Sequence, residues 1–480
     1  MRIFPARPRL ATILLAALLL PALSALARSF DSRFLSVTNA RCRAPSVAPS
    51  GLIVWSQVTL SEDPESIVSL RTDLVTSDAG AEPVNITQNE PLMASHPANP
   101  SPFGSSVMYA CNLASNAPDG YTFNLELPPL TDEMQQLTAV YPTLFGTLPP
   151  SSANQQALAQ NVEAAADESA EPPADDDAEK LQPLTDAELA AATPGTMNRP
   201  RRGERPRKTQ GVGNTIVLRT ADGNTTVITP RNLGFSFPVL SEDYAAFLCA
   251  REWPYGYEVV ACDLANQTLT QITTNFFYAA APVISGHRMA FSAWDGNDYE
   301  IYLHDFDSGT TTQITENTFD DTDPRLDGDT IVWVARPLAT TEIFLYDIPN
   351  ESLRKLSDSS TSANTAPSLW NGKVVWQALD DDGNDSEIYY YDGNRIIKLT
   401  SNVWDDTNPV IRDNVIAWTS YVDLGDAEIM ALDLSDNIPV QITDDASDDL
   451  LPATAQGFIV WQSDLDDGHS AICIATPHQD

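Results

Sequence analysis

The residues of this chain that could do chemistry are mostly aspartates, and they come in runs. Asp380-Asp-Asp-Gly-Asn-Asp385 and Asp464-Leu-Asp-Asp-Gly468 have the composition of calcium loops, since clustered carboxylates and backbone carbonyls suit a hard cation. Both lack the full EF-hand spacing with its distal glutamate. Asp380, Asp382, Asp385, Asp464 and Asp466 are the candidate Ca2+ ligands, and tight-turn formation by Asp, Asn and Gly is the competing reading. A second set, Asp320, Asp321, Asp323, Asp405, Asp406, Asp448 and Asp449, is the candidate acidic binding surface. The five histidines, His96, His287, His304, His469 and His478, show no metal-ligand spacing, and no Gly-x-Ser-x-Gly elbow occurs. No catalytic residue is assigned.

The surroundings of these residues set further bounds. The chain has 480 residues, 42% of them hydrophobic, so a sizeable core is available. A net charge of −39 would repel phosphates, which argues against nucleic acid as a partner. Long-range attraction instead favours a basic protein or peptide. Five cysteines are too few for a disulfide scaffold.

A repeat of about 43 residues must position the aspartates. Pro238, Pro282, Pro324, Pro367, Pro409 and Pro452 each precede an aromatic residue by nine places, at spacings of 44, 42, 43, 42 and 43. A second signature follows: Glu300-Ile-Tyr, Glu342-Ile-Phe, Glu387-Ile-Tyr and Glu428-Ile-Met. Each leads to a polar turn and an ending at Thr315, Ser357, Thr400 or Thr443. Four short β-rich runs per unit, with no amphipathic helix between them, predict an all-β chain: a β-propeller of four-stranded blades. Strand A carries the proline, at its start, where a missing N–H is tolerated. Strand B carries the aromatic, expected to fill space between blades. Strand C is the Glu-Ile-Tyr run, and strand D ends at the Thr. Pro100 and Pro45 extend the series loosely. The last unit stops after strand C, and Phe34-Leu-Ser-Val-Thr38 reads as an orphan strand D that would close the ring. Eight blades are favoured, with seven or six as alternatives.

The Pro, Gly, Ile-Val-Trp, Glu-Ile-Tyr and Ile-Thr pattern resembles the TolB-type propeller repeat, closely over 211–480 and loosely over 45–140. The resemblance implies the fold. It leaves function open, because similar blades serve periplasmic binding proteins and the non-catalytic domains of exported peptidases. The chain departs from TolB in having more than six repeats and no recognisable α/β domain before the blades.

Four segments follow. Residues 1–27 read as a signal peptide, with Arg2, Arg7 and Arg9 before an apolar run and Ala25-Leu-Ala27 at the cut. Residues 28–138 hold the closing strand and first blades. Residues 139–210, acidic then basic, read as a disordered insertion inside blade two. Residues 211–480 hold the main repeats. The protein is expected to be exported, periplasmic or extracellular, with no membrane span after cleavage. Two disulfides are conceivable, Cys249–Cys262 across one hairpin and Cys42–Cys473 across the ring closure, against free buried thiols as the alternative.

In a propeller, D–A and B–C loops open on one face, and both aspartate sets fall there. The expected function is non-enzymatic binding of a protein or peptide through this acidic face or the central channel. The alternatives are a metal-dependent, polysaccharide lyase-like propeller and a Ca2+-stabilised structural module of the cell surface.

Overall fold

A computed structural model describes residues 30–36, 40–59, 72–87, 93–113, 117, 119–123, 214–251, 256–274, 278–280, 282–337, 340–357, 362–379, 385–422, 426–435, 437–465 and 469–477. All of them belong to one compact unit, Met1–Pro129 with Gly211–Arg251 and Gly256–Asp480. The second unit, Leu130–Gln210 with Glu252–Tyr255, lies outside the described residues, as does the expected signal peptide. No helix occurs among the described residues.

The strands follow one another as antiparallel meanders. β1 (Phe30–Phe34) stands apart. β2 (Ala40–Val47), β3 (Leu52–Thr59), β4 (Thr72–Asp78) and β5 (Val84–Asn85) form the first meander. The second is β6 (Met93–Phe103), β7 (Ser106–Leu113), β8 (Thr215–Arg219) and β9 (Thr225–Val227). The third is β10 (Gly234–Leu240), β11 (Tyr244–Arg251), β12 (Gly256–Asp263) and β13 (Thr268–Gln271). Then come β14 (Val283–Ser285), β15 (Arg288–Trp294), β16 (Tyr299–Asp305) and β17 (Thr310–Gln313), followed by β18 (Asp321–Asp327), β19 (Thr330–Ala335), β20 (Glu342–Asp347) and β21 (Ser352–Lys355). The next sheets are β22 (Ser362–Trp370), β23 (Lys373–Leu379), β24 (Ser386–Tyr391) and β25 (Ile396–Lys398), and β26 (Asp406–Arg412), β27 (Val415–Val422), β28 (Asp426–Asp433) and β29 (Ile438–Gln441). Finally β30 (Asp448–Ala455), β31 (Phe458–Asp464) and β32 (Ser470–Pro477) take β1 as their fourth strand. A single parallel bridge, Arg41 to Ser470, joins this sheet to the first.

The first strands form a closed cycle. β2 packs on β6, β6 on β10, and so on through β14, β18, β22 and β26 to β30, which returns to β2. Such a succession of four-stranded meanders is a β-propeller. Apolar clusters fill the space between neighbouring sheets. Ala290 and Ile301 meet Ile331 and Trp333 at one junction, and Val375 and Ile388 meet Ile416 and Trp418 at another. The recurring aromatic therefore packs against the preceding blade, as its spacing suggested.

One hydrogen-bonded pair explains the Ile-Thr endings. The strand C amides of Leu74, Ile216, Val259, Ile301, Ile343, Ile388, Ile429 and Ile472 donate to the hydroxyls of Thr87, Thr229, Thr273, Thr315, Ser357, Thr400, Thr443 and Ser36 at 2.8–2.9 Å. The residue before each hydroxyl returns its own amide to the same strand C carbonyl, from Ile86 to Leu74 through to Leu35 to Ile472. Leu35-Ser36 thus supplies to the last sheet what Ile314-Thr315 supplies to its own.

Three expectations shift. The closing strand begins at Phe30, four residues earlier than the Phe34 start read from sequence. Pro282 stands just before its strand A, as expected, but Pro238, Pro324, Pro367, Pro409 and Pro452 sit inside theirs. Pro324 and Pro409 are each fourth in their strands, at a register shift, and Asp323, Asn408 and Leu451 before the prolines have φ of 56°, 52° and 55°. A bulge leaves a residue outside the ladder, so the absent proline N–H is not missed there. The two expected disulfides are not formed, and all five cysteines are free and buried. Cys249 faces Glu258, whereas Cys262 faces Ala245. The thiols stand four residues apart along paired strands, about 13 Å at ~3.3 Å per residue, beyond the ~7 Å Cα limit for a bridge. Cys42 and Cys473 belong to different core clusters.

β7 and β8 pair directly, Val107 opposite Arg219. Leu113 and Thr215 thus bound neighbouring strands of one sheet.

Candidate functional site

The site is built where strand A begins, strand B ends, strand C begins and strand D ends. The antiparallel order brings these four points to one end of each sheet. Asp406, first in β26, lies opposite Ser420 near the end of β27.

Much of the acid at this end is turned inward. The buried indole N–H of Trp333 donates to Asp321 Oδ1 at 2.9 Å, and that of Trp418 to Asp406 Oδ1 at 3.0 Å. Between them in sequence, Trp376 donates to Asn364 Oδ1 at 3.1 Å. In each case the acceptor is the residue twelve places before the tryptophan. Where the aromatic is Phe247 or Phe291, with no N–H to satisfy, that place holds Phe235 or Ala279. Indole and acceptor occur together because a buried donor needs a partner.

Two further side chains complete each junction. Asn317 Nδ2 reaches Asp321 Oδ2 at 2.6 Å while its amide donates to Glu300 Oε1 at 2.7 Å. Asn402 does the same for Asp406 and Glu387, at 2.7 and 3.0 Å. Glu300 and Glu387 belong to one blade and the aspartates to the next, so each asparagine latches neighbouring blades. The preceding residues, Asp320, Asp405 and Asp448, accept the amides of Tyr299, Ser386 and Ala427 at 3.2, 2.8 and 3.2 Å.

The third copy differs. Asp445 stands in the asparagine place; its amide still meets Glu428 Oε1 at 3.2 Å, but its side chain is a second carboxylate. Both oxygens of Asp449 and the Trp461 indole N–H lack a partner at bonding geometry. Burial pushes Asp321 up to about 7, Glu428 up to about 7 and Asp449 up to about 6. Glu387 and Asp406 are raised for the same reason. A desolvated carboxyl favours its neutral form.

Asp321, Asp406 and Asp449, expected as surface ligands, are each 1% exposed; the first two are structural acceptors, and Asp449 is buried without a bonded partner among the described residues. Asp323 faces Arg336 at 3.5 Å. Of the expected Ca2+ ligands, Asp380, Asp382 and Asp466 lie outside the described residues. Asp385 is half-buried, and Asp464 accepts Gln462 Nε2 at 2.7 Å.

Two groupings at this end are not singled out as sites by the sequence, although Asp295 and Asp298 belong to the same acidic B–C loops. The first is Asp295, Asp298 and Glu300 in the β15–β16 turn and its following strand, whose ligand oxygens lie within 4.8 Å of one another. The second is apolar. Val403 is 83% exposed, and Trp404 and Tyr421 are also exposed. The Tyr421 amide donates to the Asp405 carbonyl at 2.9 Å, which brings the two loops together. Burial, then Asp448 and Asp405, raise the Tyr421 phenol. Trp404 occupies the place of the half-buried Phe319 two blades earlier, so only its exposure distinguishes it.

The histidines do not converge with the acids into a metal site. His287 is held between Asp307, at 2.7 Å, and Asp243, at 3.1 Å, at the opposite end of the blades. Those two carboxylates, Asp307 first, raise its pKa. His304 is buried against Thr311 at 2.9 Å, and burial lowers its pKa. His96 lies in β6, and His478 lies outside the described residues. Among the described residues, the one group of three potential ligands contains no histidine.

No protein-family model matches the chain, and no curated protein does. Among solved structures it is similar to TolB from Acinetobacter baumannii, at 14% identity over 56% of this chain and 78% of that one, TM-score 0.33. It is also similar to the β-propeller domain of the Trilobed protease from Pyrococcus furiosus, at 13% identity, 56% and 87% coverage and TM-score 0.41. A third likeness is to an oligogalacturonate lyase in complex with manganese, at 14% identity, 56% and 84% coverage and TM-score 0.39. The likeness is one of fold, and the strand order described above carries the propeller assignment.

Proposed function

We propose that the chain is an exported, non-enzymatic propeller of eight blades that binds a basic protein or peptide at the end bearing its D–A and B–C loops. The carrying observation is the exposed group Val403, Trp404 and Tyr421 beside Asp405 and Asp448. Interfaces commonly centre on aromatic anchors surrounded by a polar rim. The carboxylates complement arginine and lysine, and the charge of −39 draws such a partner in. The eight equivalent amide-to-hydroxyl pairs support eight blades. Export is supported by Arg2, Arg7 and Arg9 ahead of an apolar run and by Ala25-Leu-Ala27. No helix among the described residues is long and apolar enough to cross a membrane.

The test is capture from an envelope extract at low and at high salt, using the wild type and a Trp404→Ala/Tyr421→Ala variant side by side. A partner held by the wild type at low salt, weakened by salt and lost by the variant supports the reading. A partner retained equally by the variant overturns it.

A further inference from the structure

The Asp295–Asp298–Glu300 cluster brings three carboxylates together with several of their oxygens unsatisfied. Asp295 is exposed and already structures its own turn, Oδ1 accepting the amides of Asn297 at 2.7 Å and Asp298 at 3.2 Å. Its second oxygen is not used in those bonds. Asp298 is 5% exposed, and neither of its oxygens has a hydrogen-bond partner. Glu300 is fully buried; Oε1 takes the Asn317 amide, and Oε2 has no partner. Three carboxylates are thus brought within 4.8 Å, two of them shielded from water.

Neighbouring blades show how the chain neutralises such a glutamate when it does so internally. Lys355 reaches Glu342 at 2.7 Å, and Lys398 reaches Glu387 at 3.5 Å. The residue matching Lys355 beside Glu300 is Gln313, whose Nε2 donates to the Thr315 carbonyl at 2.8 Å. Asp295, Asp298 and Glu300 make no ion pair among the described residues. Asp320 stands close and adds negative charge. Buried charge is expensive without a counter-charge, and buried polar atoms are normally bonded.

We propose that Asp295, Asp298 and Glu300 bind a calcium ion. All three offer oxygen, the ligand class hard cations take, and the exposed Asp295 side leaves room for water to complete a coordination number of six to eight. Magnesium demands a stricter octahedron and sheds its water reluctantly, so it is disfavoured. The ion braces the β15–β16 turn against the Asn317 latch, because Glu300 belongs to both.

The test uses the full-length exported protein, freed of metal with EDTA. Calcium alone, then magnesium alone, is added at pH 7.5, and binding is followed by titration calorimetry and by the melting temperature. One calcium is expected to bind with Kd on the order of 10⁻⁴ M, the range of extracellular modules, and to raise the melting temperature. Asp298→Asn and Asp295→Asn are expected to bind at least tenfold more weakly. Asp298→Asn should melt no lower than the wild type in EDTA, since it relieves repulsion, so loss of binding is separable from loss of folding. Absence of calcium binding by the wild type, binding unchanged in both variants, or equal binding of magnesium would each overturn the assignment. The site stands apart from the partner surface at Trp404, so either can fail alone.

Discussion

Ser36 receives the amide of Ile472 at 2.8 Å, across 436 residues of sequence. Seven other Thr or Ser hydroxyls do the same within their own repeats, so the first described residues act as the last strand of the last blade. Ser36→Ala removes one such bond and should cost about 1 kcal/mol. Leu35→Ala, which hollows the cluster around Trp55 and Ile472, should cost ~2–5 kcal/mol. Urea unfolding of both variants checks this. If the Leu35 variant unfolds like the wild type, the closing strand does not hold the ring.

Asp445 is where the latch between blades is incomplete. Asn317 and Asn402 bridge a strand C glutamate to the next blade's aspartate. Asp445 presents a carboxylate to Asp449 instead, and like charge adds to burial in raising the Asp449 pKa. Asp445→Asn should therefore stabilise the protein by about 1 kcal/mol, and Asn402→Asp should destabilise it by a similar amount. Paired melts of the two variants read out the opposite signs.

The buried carboxyls give an unusual pH dependence. Asp321 and Glu428 titrate near 7 and Asp449 near 6 in the folded protein, against ordinary values of about 4 when unfolded. Between those limits the folded state holds more protons than the unfolded one, so stability falls as pH rises. The stabilisation is complete below about pH 4 for these groups and is lost as pH passes through 6 to 7. Melting temperature in EDTA should rise from pH 8 to pH 5.5. Asp321→Asn, which keeps an acceptor for Trp333 as Asn364 does for Trp376, should flatten the slope. A wild-type profile that rises with pH over this interval would contradict the assignment.

Much of the fold was legible because its periodicity is written in residues that pack and bond. The Pro-to-aromatic spacing and the Ile-Thr endings mark real strands and real bonds, and the Phe34–Thr38 run points to the closure, of which Phe34, Leu35 and Ser36 are described. The candidate site was less legible. Asp321 and Asp406 look like surface acids in a linear string, yet their role is set by an indole twelve residues later. The tryptophans were read as space-filling, and their N–H groups were not followed to an acceptor. Asp298 differs from Asp385 and Asp426 only in what surrounds it, which no spacing rule reveals. Trp404 shares its repeat position with the half-buried Phe319, and exposure, which separates the two, is not written in the sequence.

Binding at the aspartate-bearing end is tested most directly by selection from a displayed random-peptide library. The bait is wild-type protein, with Trp404→Ala/Tyr421→Ala and, as an opposite-end control, Asp243→Asn in parallel. The wild type and the Asp243 variant should enrich Arg- and Lys-bearing peptides whose binding weakens with salt, and the double variant should lose them at least tenfold. Enrichment that persists in the double variant, or that disappears with Asp243→Asn alone, would place binding elsewhere and contradict the proposed surface.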